Sequence, residues 1–153
     1  MKNKEKYISL IVSLLCLVSI ALHGCQSSKT KTITIQSTYN MNKDMIYDTP
    51  SFTVNPKQVI SLTFKNSDPN PTMRHNIIIL KPSTNIVEFS TKAIAYSSDF
   101  IPKDKAIIAY TPLLSSGDSI TIRFTAPEKK GEYPYLCTFP GHFTTMNGMM
   151  IVK

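Results

Sequence analysis

Short segments in which apolar and polar residues alternate run through this chain and limit the folds that it can adopt. Residues 59–65 and 119–125 alternate with a period of two, which is typical of β-strands with one buried face. A cluster of Asn, Ser, Asp and Pro at residues 66–71 indicates a turn. We predict strands at residues 32–37, 45–47, 51–54, 59–65, 74–80, 107–110, 119–125, 132–137 and 148–153. Many short strands separated by turns predict an all-β fold, either a β-sandwich or a barrel.

One stretch departs from this alternation. Between residues 85 and 96 the apolar residues have mixed spacing with a partial helical periodicity. We therefore predict a short helix within this stretch, lying over one side of the sandwich.

The N-terminus has the features of an export signal. Three lysines within the first six residues precede an apolar run at residues 8–22. A membrane-spanning helix needs about 20 residues, so this run is too short to be one. The junction ending in Gly24 and Cys25 resembles the lipobox of bacterial lipoproteins, in which the cysteine becomes the first residue and carries lipid. We predict a lipoprotein signal peptide at residues 1–24, a polar tether at 25–31 and one domain at 32–153. The protein would then be exported and lipid-anchored to a bacterial membrane, facing the periplasm or the cell exterior. The alternative is an uncleaved N-terminal anchor in which Cys25 is an ordinary cysteine.

Export would leave this chain with a single free thiol. Cys16 departs with the leader and Cys25 carries lipid, so Cys137 has no cysteine with which to pair. Exported proteins usually pair their cysteines, and a metal bond is another way to protect a lone thiol. The net charge is +7, but the lysines are scattered without an arginine-rich tract or interleaved aromatics. We therefore do not predict nucleic-acid binding.

A potential metal-binding cluster lies near the C-terminus. Cys137, His142 and Met146 occur within ten residues, and His75 is the one further histidine outside the leader. A thiolate, two imidazoles and a weak thioether select copper and hold it in a trigonal geometry. Taken alone, His75 is more often a structural histidine and Cys137 an inert core thiol. Together the four residues are our predicted ligands for one copper ion cycling between Cu(II) and Cu(I).

The segments around these ligands resemble those of the cupredoxins, the type 1 blue copper proteins, and especially azurins and auracyanins. The run Cys-Thr-Phe-Pro-Gly-His at residues 137–142, followed by three residues and Met-x-Gly, resembles the azurin ligand loop. Residues 73–76 (Met-x-His-Asn) resemble the segment of azurin's first histidine, and residues 131–137 resemble the strand that feeds the loop. The resemblance covers about residues 32–153.

The resemblance implies a Greek-key β-sandwich with a type 1 copper site at one end and a role in electron transport rather than enzymatic catalysis. It also implies that electrons leave through His142, surrounded by an exposed apolar patch of Met45, Met73, Phe139 and Pro140. Apolar patches mark interaction sites, and redox proteins meet through small transient interfaces. Candidate partners are cytochrome c, a quinol-oxidising complex, and a terminal oxidase or reductase.

Residues next to the ligands are expected to tune the site. The Asn76 amide and Thr138 would tie the first-histidine segment to the ligand loop, and backbone N–H groups after His75 and near residues 139–141 would donate to the sulfur. In azurins the residue before the first histidine is a glycine whose carbonyl lies near copper. Here it is Arg74, whose side chain bears on how closely the backbone approaches. Azurins also carry a disulfide that this chain cannot form.

Other functions compete with electron transfer. A copper carrier or chaperone that delivers copper to an oxidase would use similar soft ligands, but it would need an open, exchange-prone site. Copper nitrite reductases and multicopper oxidases need additional histidine clusters, which the sequence lacks. Structural zinc prefers four Cys or His ligands, and methionine is not among them.

Overall fold

The computed structural model describes residues 29–153. The predicted signal peptide, the lipidation site Cys25 and the first part of the predicted tether lie outside the described residues. The described chain forms nine β-strands, an α-helix and a short 3₁₀ helix. In chain order these are β1 (Lys31–Tyr39), β2 (Met45–Tyr47), β3 (Ser51–Val54), β4 (Val59–Lys65), β5 (Ile78–Leu80), α1 (Ile86–Ile94), β6 (Ile107–Tyr110), β7 (Ser119–Thr125), β8 (Gly131–Leu136), the 3₁₀ helix (His142–Thr144) and β9 (Asn147–Val152).

The strands form two sheets. One sheet has the order β2-β1-β4-β7 and the other has the order β3-β9-β8-β5-β6. Most neighbouring strands are antiparallel, but β1 pairs with β4 and β3 pairs with β9 in parallel. The chain passes repeatedly between the two sheets, and each parallel pair is joined by a long connection. The predicted all-β sandwich is confirmed.

The core lies between the two sheets. Alternate residues of β4 (Ile60, Leu62 and Phe64) are completely buried, as are Ile79 and Tyr135 from the other sheet and Ile77 just before β5. Each fully buried aliphatic or aromatic side chain contributes roughly 1.5–3 kcal/mol to stability. The same core cluster includes Cys137 and Met146, so the packing that holds the sheets together also encloses the predicted ligand loop.

The predicted helix within residues 85–96 is confirmed as α1. Its N-cap is Asn85, whose side-chain oxygen accepts hydrogen bonds from the N–H groups of Val87 and Glu88. Phe89 packs with residues of β5 and β8 in a second cluster, so the helix covers part of the second sheet, which holds β5 and β8. Within residues 29–153, no helix combines the length and the apolar character needed to cross a membrane.

The predicted strand at residues 74–80 is wrong in its first half. Regular pairing begins only at Ile78, and His75 instead forms an isolated bridge with Leu114. Between His75 and Ile78, two side chains bond to the backbone, and the Thr111 N–H donates to the Ile77 carbonyl at 2.9 Å. The Ile77 N–H donates to Thr111 Oγ1 at 3.0 Å, and the Tyr47 hydroxyl donates to the Asn76 carbonyl at 2.5 Å. The backbone between His75 and Ile78 is therefore fixed by individual hydrogen bonds and not by regular strand pairing.

Pro134 lies in β8, where a lost ladder hydrogen bond would be expected to weaken the sheet. It pairs with Met149 of β9. On the other side, the pairing of β8 with β5 ends at the Ile79–Tyr135 pair, one residue short of Pro134. Pro134 therefore lies just beyond the last residue of β8 that pairs with β5.

Candidate metal centre

The ligand loop, residues 137–146, joins β8 to β9. Cys137 directly follows the last residue of β8, and His142 begins the 3₁₀ helix. Gly141 precedes that helix with φ of 85°, a left-handed conformation that glycine adopts without strain. The Cys137 N–H donates to the Met146 carbonyl at 3.0 Å, and the Met146 N–H donates to the His142 carbonyl at 2.8 Å. These bonds close the loop and fix the spacing of its three potential ligands.

His75 reaches the loop from the middle of the chain. Its N–H donates to the Leu114 carbonyl at 3.1 Å, and the Leu114 N–H donates to the His75 carbonyl at 2.8 Å. The histidine is completely buried, so its ring has little freedom to move. The bridge thus places an imidazole from residue 75 beside a thiol and an imidazole from the ligand loop.

The structure brings His75, Cys137 and His142 together, with their donor atoms all within 4.8 Å of one another. Cys137 Sγ lies 3.9 Å from His75 Nδ1 and 3.8 Å from His142 Nδ1, and the two Nδ1 atoms are 3.2 Å apart. With the bond lengths that zinc makes to these ligands, about 2.0–2.1 Å to nitrogen and about 2.3 Å to sulfur, trigonal angles would separate the two nitrogens by about 3.5–3.6 Å and each nitrogen from the sulfur by about 3.7–3.8 Å. The triangle is therefore the right size for one metal ion near its centre.

The buried thiol is not reactive by itself. Burial raises the pKa of the Cys137 thiol to about 12, although hydrogen bonds from the N–H groups of Asn76 and Phe139 act to lower it. A nucleophilic cysteine needs the opposite shift, because the thiolate is the reactive form. A metal cation displaces the proton directly on binding. The same two N–H groups would stabilise the negative charge of a metal-bound sulfur.

Both histidines favour the neutral form that a metal requires. Burial lowers the pKa of His142 to about 4, with a further lowering from His75 nearby. Burial also lowers the pKa of His75, and this outweighs the raising effect of the Asp68 carboxylate. Neutral imidazoles keep a lone pair on one nitrogen, and here the nitrogens that face each other and the thiol are the two Nδ1 atoms.

Two buried polar side chains hold the histidine segment against the ligand loop. Asn76 Nδ2 donates to Thr138 Oγ1 at 2.9 Å, and the Thr138 N–H donates to Asn76 Oδ1 at 2.9 Å. Both residues are almost fully buried, where hydrogen bonds are strong and their loss is costly. This pair fixes the distance between His75 and Cys137, which each lie one residue away from it.

Sequence reasoning missed Asp68. Its Oδ2 lies 3.2 Å from His75 Nε2, and both side chains are completely buried. Asp68 stands in a segment rich in Asn, Pro and Ser, which indicated only a turn. No spacing rule links an aspartate in a turn to a histidine seven residues later, so the sequence alone carries no signal for this contact.

The other residues singled out in the sequence surround the site at different depths. Met146 is completely buried in the same core cluster as Cys137. The His142 ring packs on the Phe139 ring, with 4.7 Å between their centroids, and is partly exposed. The predicted patch residues Met45 and Met73 are half-buried, whereas Pro140 and the side chain of Arg74 are exposed.

Comparisons with known proteins agree with this geometry. Residues 33–153 match the family model of copper binding proteins of the plastocyanin/azurin family. The chain is 32% identical over 116 residues to auracyanin-A of Chloroflexus aurantiacus, covering 72% of this chain and 69% of that protein. It is 32% identical over 150 residues to azurin of Pseudomonas aeruginosa, covering 93% of this chain and 95% of the azurin.

Solved structures show the same fold. The dithionite-reduced auracyanin of the photosynthetic bacterium Roseiflexus castenholzii superposes with a TM-score of 0.72 at 39% identity, covering 80% of this chain and 97% of the auracyanin. Auracyanin A of Chloroflexus aurantiacus, described as a "blue" copper protein, superposes with a TM-score of 0.70 at 30% identity, covering 81% and 99% of the two chains. The buried triangle of two imidazoles and a thiol suits the copper that the family binds. This chain belongs to the plastocyanin/azurin family of copper-binding proteins, the cupredoxins.

Proposed function

We propose that this protein is a membrane-tethered one-electron carrier whose copper centre is formed by His75, Cys137, His142 and Met146. When bound, copper supplies the Cu(II)/Cu(I) couple that accepts and donates the electron. The observation that carries the proposal is the buried donor triangle, with sides of 3.2, 3.8 and 3.9 Å. Two nitrogens and one sulfur at these separations match the equatorial ligands of electron-transfer copper sites.

A rigid ligand set favours rapid electron transfer, because the donors then move little when the charge changes. The Asn76–Thr138 pair and the bridge between His75 and Leu114 hold the two halves of the site independently of any metal. Cys137 and His75 are both completely buried. The protein therefore offers almost the same donor positions to either oxidation state.

The optical spectrum tests this proposal. We expect the oxidised, copper-loaded protein to show an intense visible band from charge transfer between the Cys137 sulfur and copper, and we expect reduction to bleach it. A protein that stays colourless after oxidation, and that releases its copper to a chelator, would instead support the alternative function of a copper carrier or chaperone. The complete burial of His75 and Cys137 argues against such exchange, since an incoming chelator could not reach them.

Met146 is our proposed axial ligand. Its side chain is completely buried, and its backbone bonds to both Cys137 and His142 hold it beside them. A long, weak bond from a thioether above the trigonal plane is typical of these sites and tunes the reduction potential. Arg74 precedes His75, and its carbonyl is our candidate for a weak contact on the opposite side of the plane.

Replacing Met146 by leucine should retain the visible band and raise the reduction potential. Leucine fills a similar volume but removes the thioether, which stabilises Cu(II) more than it does the trigonal Cu(I) state. We expect about a tenfold shift in the one-electron equilibrium, or about 59 mV, measurable by spectroelectrochemical titration. Met150, which is also completely buried but lies in β9, provides the matched control. Met150→Leu should leave the potential unchanged, and an equal shift in both variants would exclude Met146 as the axial ligand.

His142 is the proposed exit for electrons, because it is the equatorial ligand that is partly exposed. Phe139 packs on its ring at 4.7 Å, and Pro140 is exposed beside it. With Met45 and Met73, these residues would form the apolar rim on which cytochrome c, a quinol-oxidising complex, or a terminal oxidase or reductase docks. A docking surface of this kind predicts electron exchange that depends little on ionic strength, whereas steep salt dependence would point to a charged interface.

Lipidation at Cys25 is the proposed means of tethering. Lipid anchoring would keep the domain near the membrane that holds its partners, and several acyl chains make such attachment nearly permanent. The proposal rests on the export signal and the lipobox-like junction at Gly24 and Cys25. Mass spectrometry of the mature N-terminal peptide decides it, since an unmodified Cys25 would exclude the anchor.

A further inference from the structure

The carboxylate of Asp68 lies directly behind the copper-binding face of His75. Its Oδ2 is 3.2 Å from His75 Nε2, the ring nitrogen that faces away from Cys137 and His142. The opposite nitrogen, Nδ1, belongs to the donor triangle. One imidazole therefore connects a buried carboxylate to the proposed metal position.

Asp68 is held firmly by neighbours of its own. The Tyr39 hydroxyl donates to Oδ2 at 2.8 Å, and the Asn70 N–H donates to Oδ1 at 2.8 Å. The Ser116 hydroxyl donates to the Asp68 carbonyl, and the Asp68 N–H donates to Asn66 Oδ1 at 3.1 Å. Both carboxylate oxygens and both backbone groups thus have partners, so the side chain has a defined direction.

The carboxylate has no permanent cation beside it. Among the described residues, its ion-pair contact is with His75 alone, and neither a lysine nor an arginine lies within bonding distance. A buried negative charge beside a neutral histidine is costly to maintain. A metal ion bound to the far side of the same ring would supply the missing positive charge.

We propose that Asp68 is a positioning residue that fixes the His75 tautomer and strengthens His75 as a copper ligand. Its carboxylate accepts a hydrogen bond from the Nε2–H group of His75. Because the proton is then on Nε2, the lone pair of Nδ1 is available to bind the metal. Carboxylate–histidine–metal triads raise the basicity of the ligand nitrogen. The added negative charge also favours Cu(II) over Cu(I), so Asp68 lowers the reduction potential. The inference rests on the proposed function for its effect on copper, but not for the pairing of Asp68 with His75.

The test of the effect on copper is Asp68→Asn, which keeps the shape and removes the charge. We expect this variant to retain the visible band, to bind copper roughly 10- to 100-fold more weakly, and to have a higher reduction potential. A tenfold shift towards Cu(I) corresponds to about 59 mV. A coloured Asp68→Asn protein whose affinity and potential equal those of the wild type would overturn the proposal.

Ser116→Ala is the matched control. It removes the hydroxyl that anchors the Asp68 backbone but leaves the carboxylate in place. We expect its potential to equal that of the wild type. If Ser116→Ala raised the potential as much as Asp68→Asn, then general disturbance of the segment would explain the effect, and the charge of Asp68 would not.

A measurement on the metal-free wild type separates this inference from the proposed function. Nitrogen-15 NMR of the imidazoles should show His75 carrying its proton on Nε2, as its bond to Asp68 requires. A proton on Nδ1 would overturn the proposal even if Asp68→Asn failed to fold. A wild type that shows the Nε2–H tautomer but no visible band with copper would leave the Asp68–His75 pairing intact and refute the proposed function instead.

Discussion

The visible band of the copper-loaded protein is expected to disappear completely when Cys137 is replaced by serine. The band requires a thiolate bound to Cu(II), and a serine hydroxyl is neither soft enough nor acidic enough to replace it. Serine is slightly smaller than cysteine, and the hydrogen bond that ties residue 137 to Met146 uses its backbone N–H. The fold should therefore survive while the chromophore is lost. Absorption spectra of the oxidised protein, recorded with the copper content, provide the measurement.

Thr145→Ser is the control for the Cys137 variant. Thr145 lies in the same loop, but its side chain is exposed and it supplies no proposed ligand. We expect this variant to keep the full band at an equal copper content. A Cys137→Ser protein that stayed coloured would show that another residue provides the sulfur, and the assignment of the donor triangle would be wrong.

Replacing Gly148 by alanine is expected to destabilise the fold strongly. Gly148 pairs with Tyr135 across β8 and β9, and an added Cβ would come within 2.6 Å of Tyr135 Cε2, with the ring carbon Cζ and the hydroxyl oxygen of Tyr135 closer still. The ring cannot move aside easily. It is completely buried, packs on Tyr47 and Phe52 with centroid distances of 5.5 and 5.7 Å, and donates its hydroxyl to the Thr49 carbonyl. Overpacking of this kind typically costs about 1–3 kcal/mol, occasionally more, and we expect the upper end.

Denaturant unfolding of the metal-free protein measures this cost. A double-mutant cycle shows whether the Tyr135 ring causes it. In a Tyr135→Leu background the shorter side chain leaves room for the new methyl group, so most of the penalty of Gly148→Ala should vanish. An equal penalty in both backgrounds would mean that the ring is not responsible. Tyr135 and Gly148 each lie two residues from a proposed ligand, so their close packing also fixes the two ends of the ligand loop.

Local pattern was enough to predict most of the elements of this fold. Alternation identified β4 and β7 with their observed bounds, because half-buried strands have a side-chain period of two. Partial helical spacing likewise located α1. The pairing of the strands was beyond this reasoning. The parallel pairs β1–β4 and β3–β9 join segments that are far apart in sequence. Their pairing depends on how the whole core packs, which a local pattern does not determine.

The donor set was predictable for a different reason. Cys137, His142 and Met146 are close in sequence, and His75 is the one other histidine outside the leader that could complete the set. The surroundings of His75 were not predictable in the same way. The strand predicted at residues 74–80 begins at Ile78, because bonds to Leu114, Thr111 and Tyr47 replace regular pairing before it. Asp68 contacts His75 because the turn between them brings the two side chains together, and the sequence does not specify the shape of that turn.

X-ray absorption at the copper edge tests most directly the claim that His75, Cys137 and His142 hold one copper ion for electron transfer. The account predicts a coordination shell of two nitrogen neighbours and one closely bound sulfur neighbour, nearly unchanged between the oxidised and the reduced protein. A coordination shell without the short sulfur bond, or one that gains or loses a ligand on reduction, would contradict it.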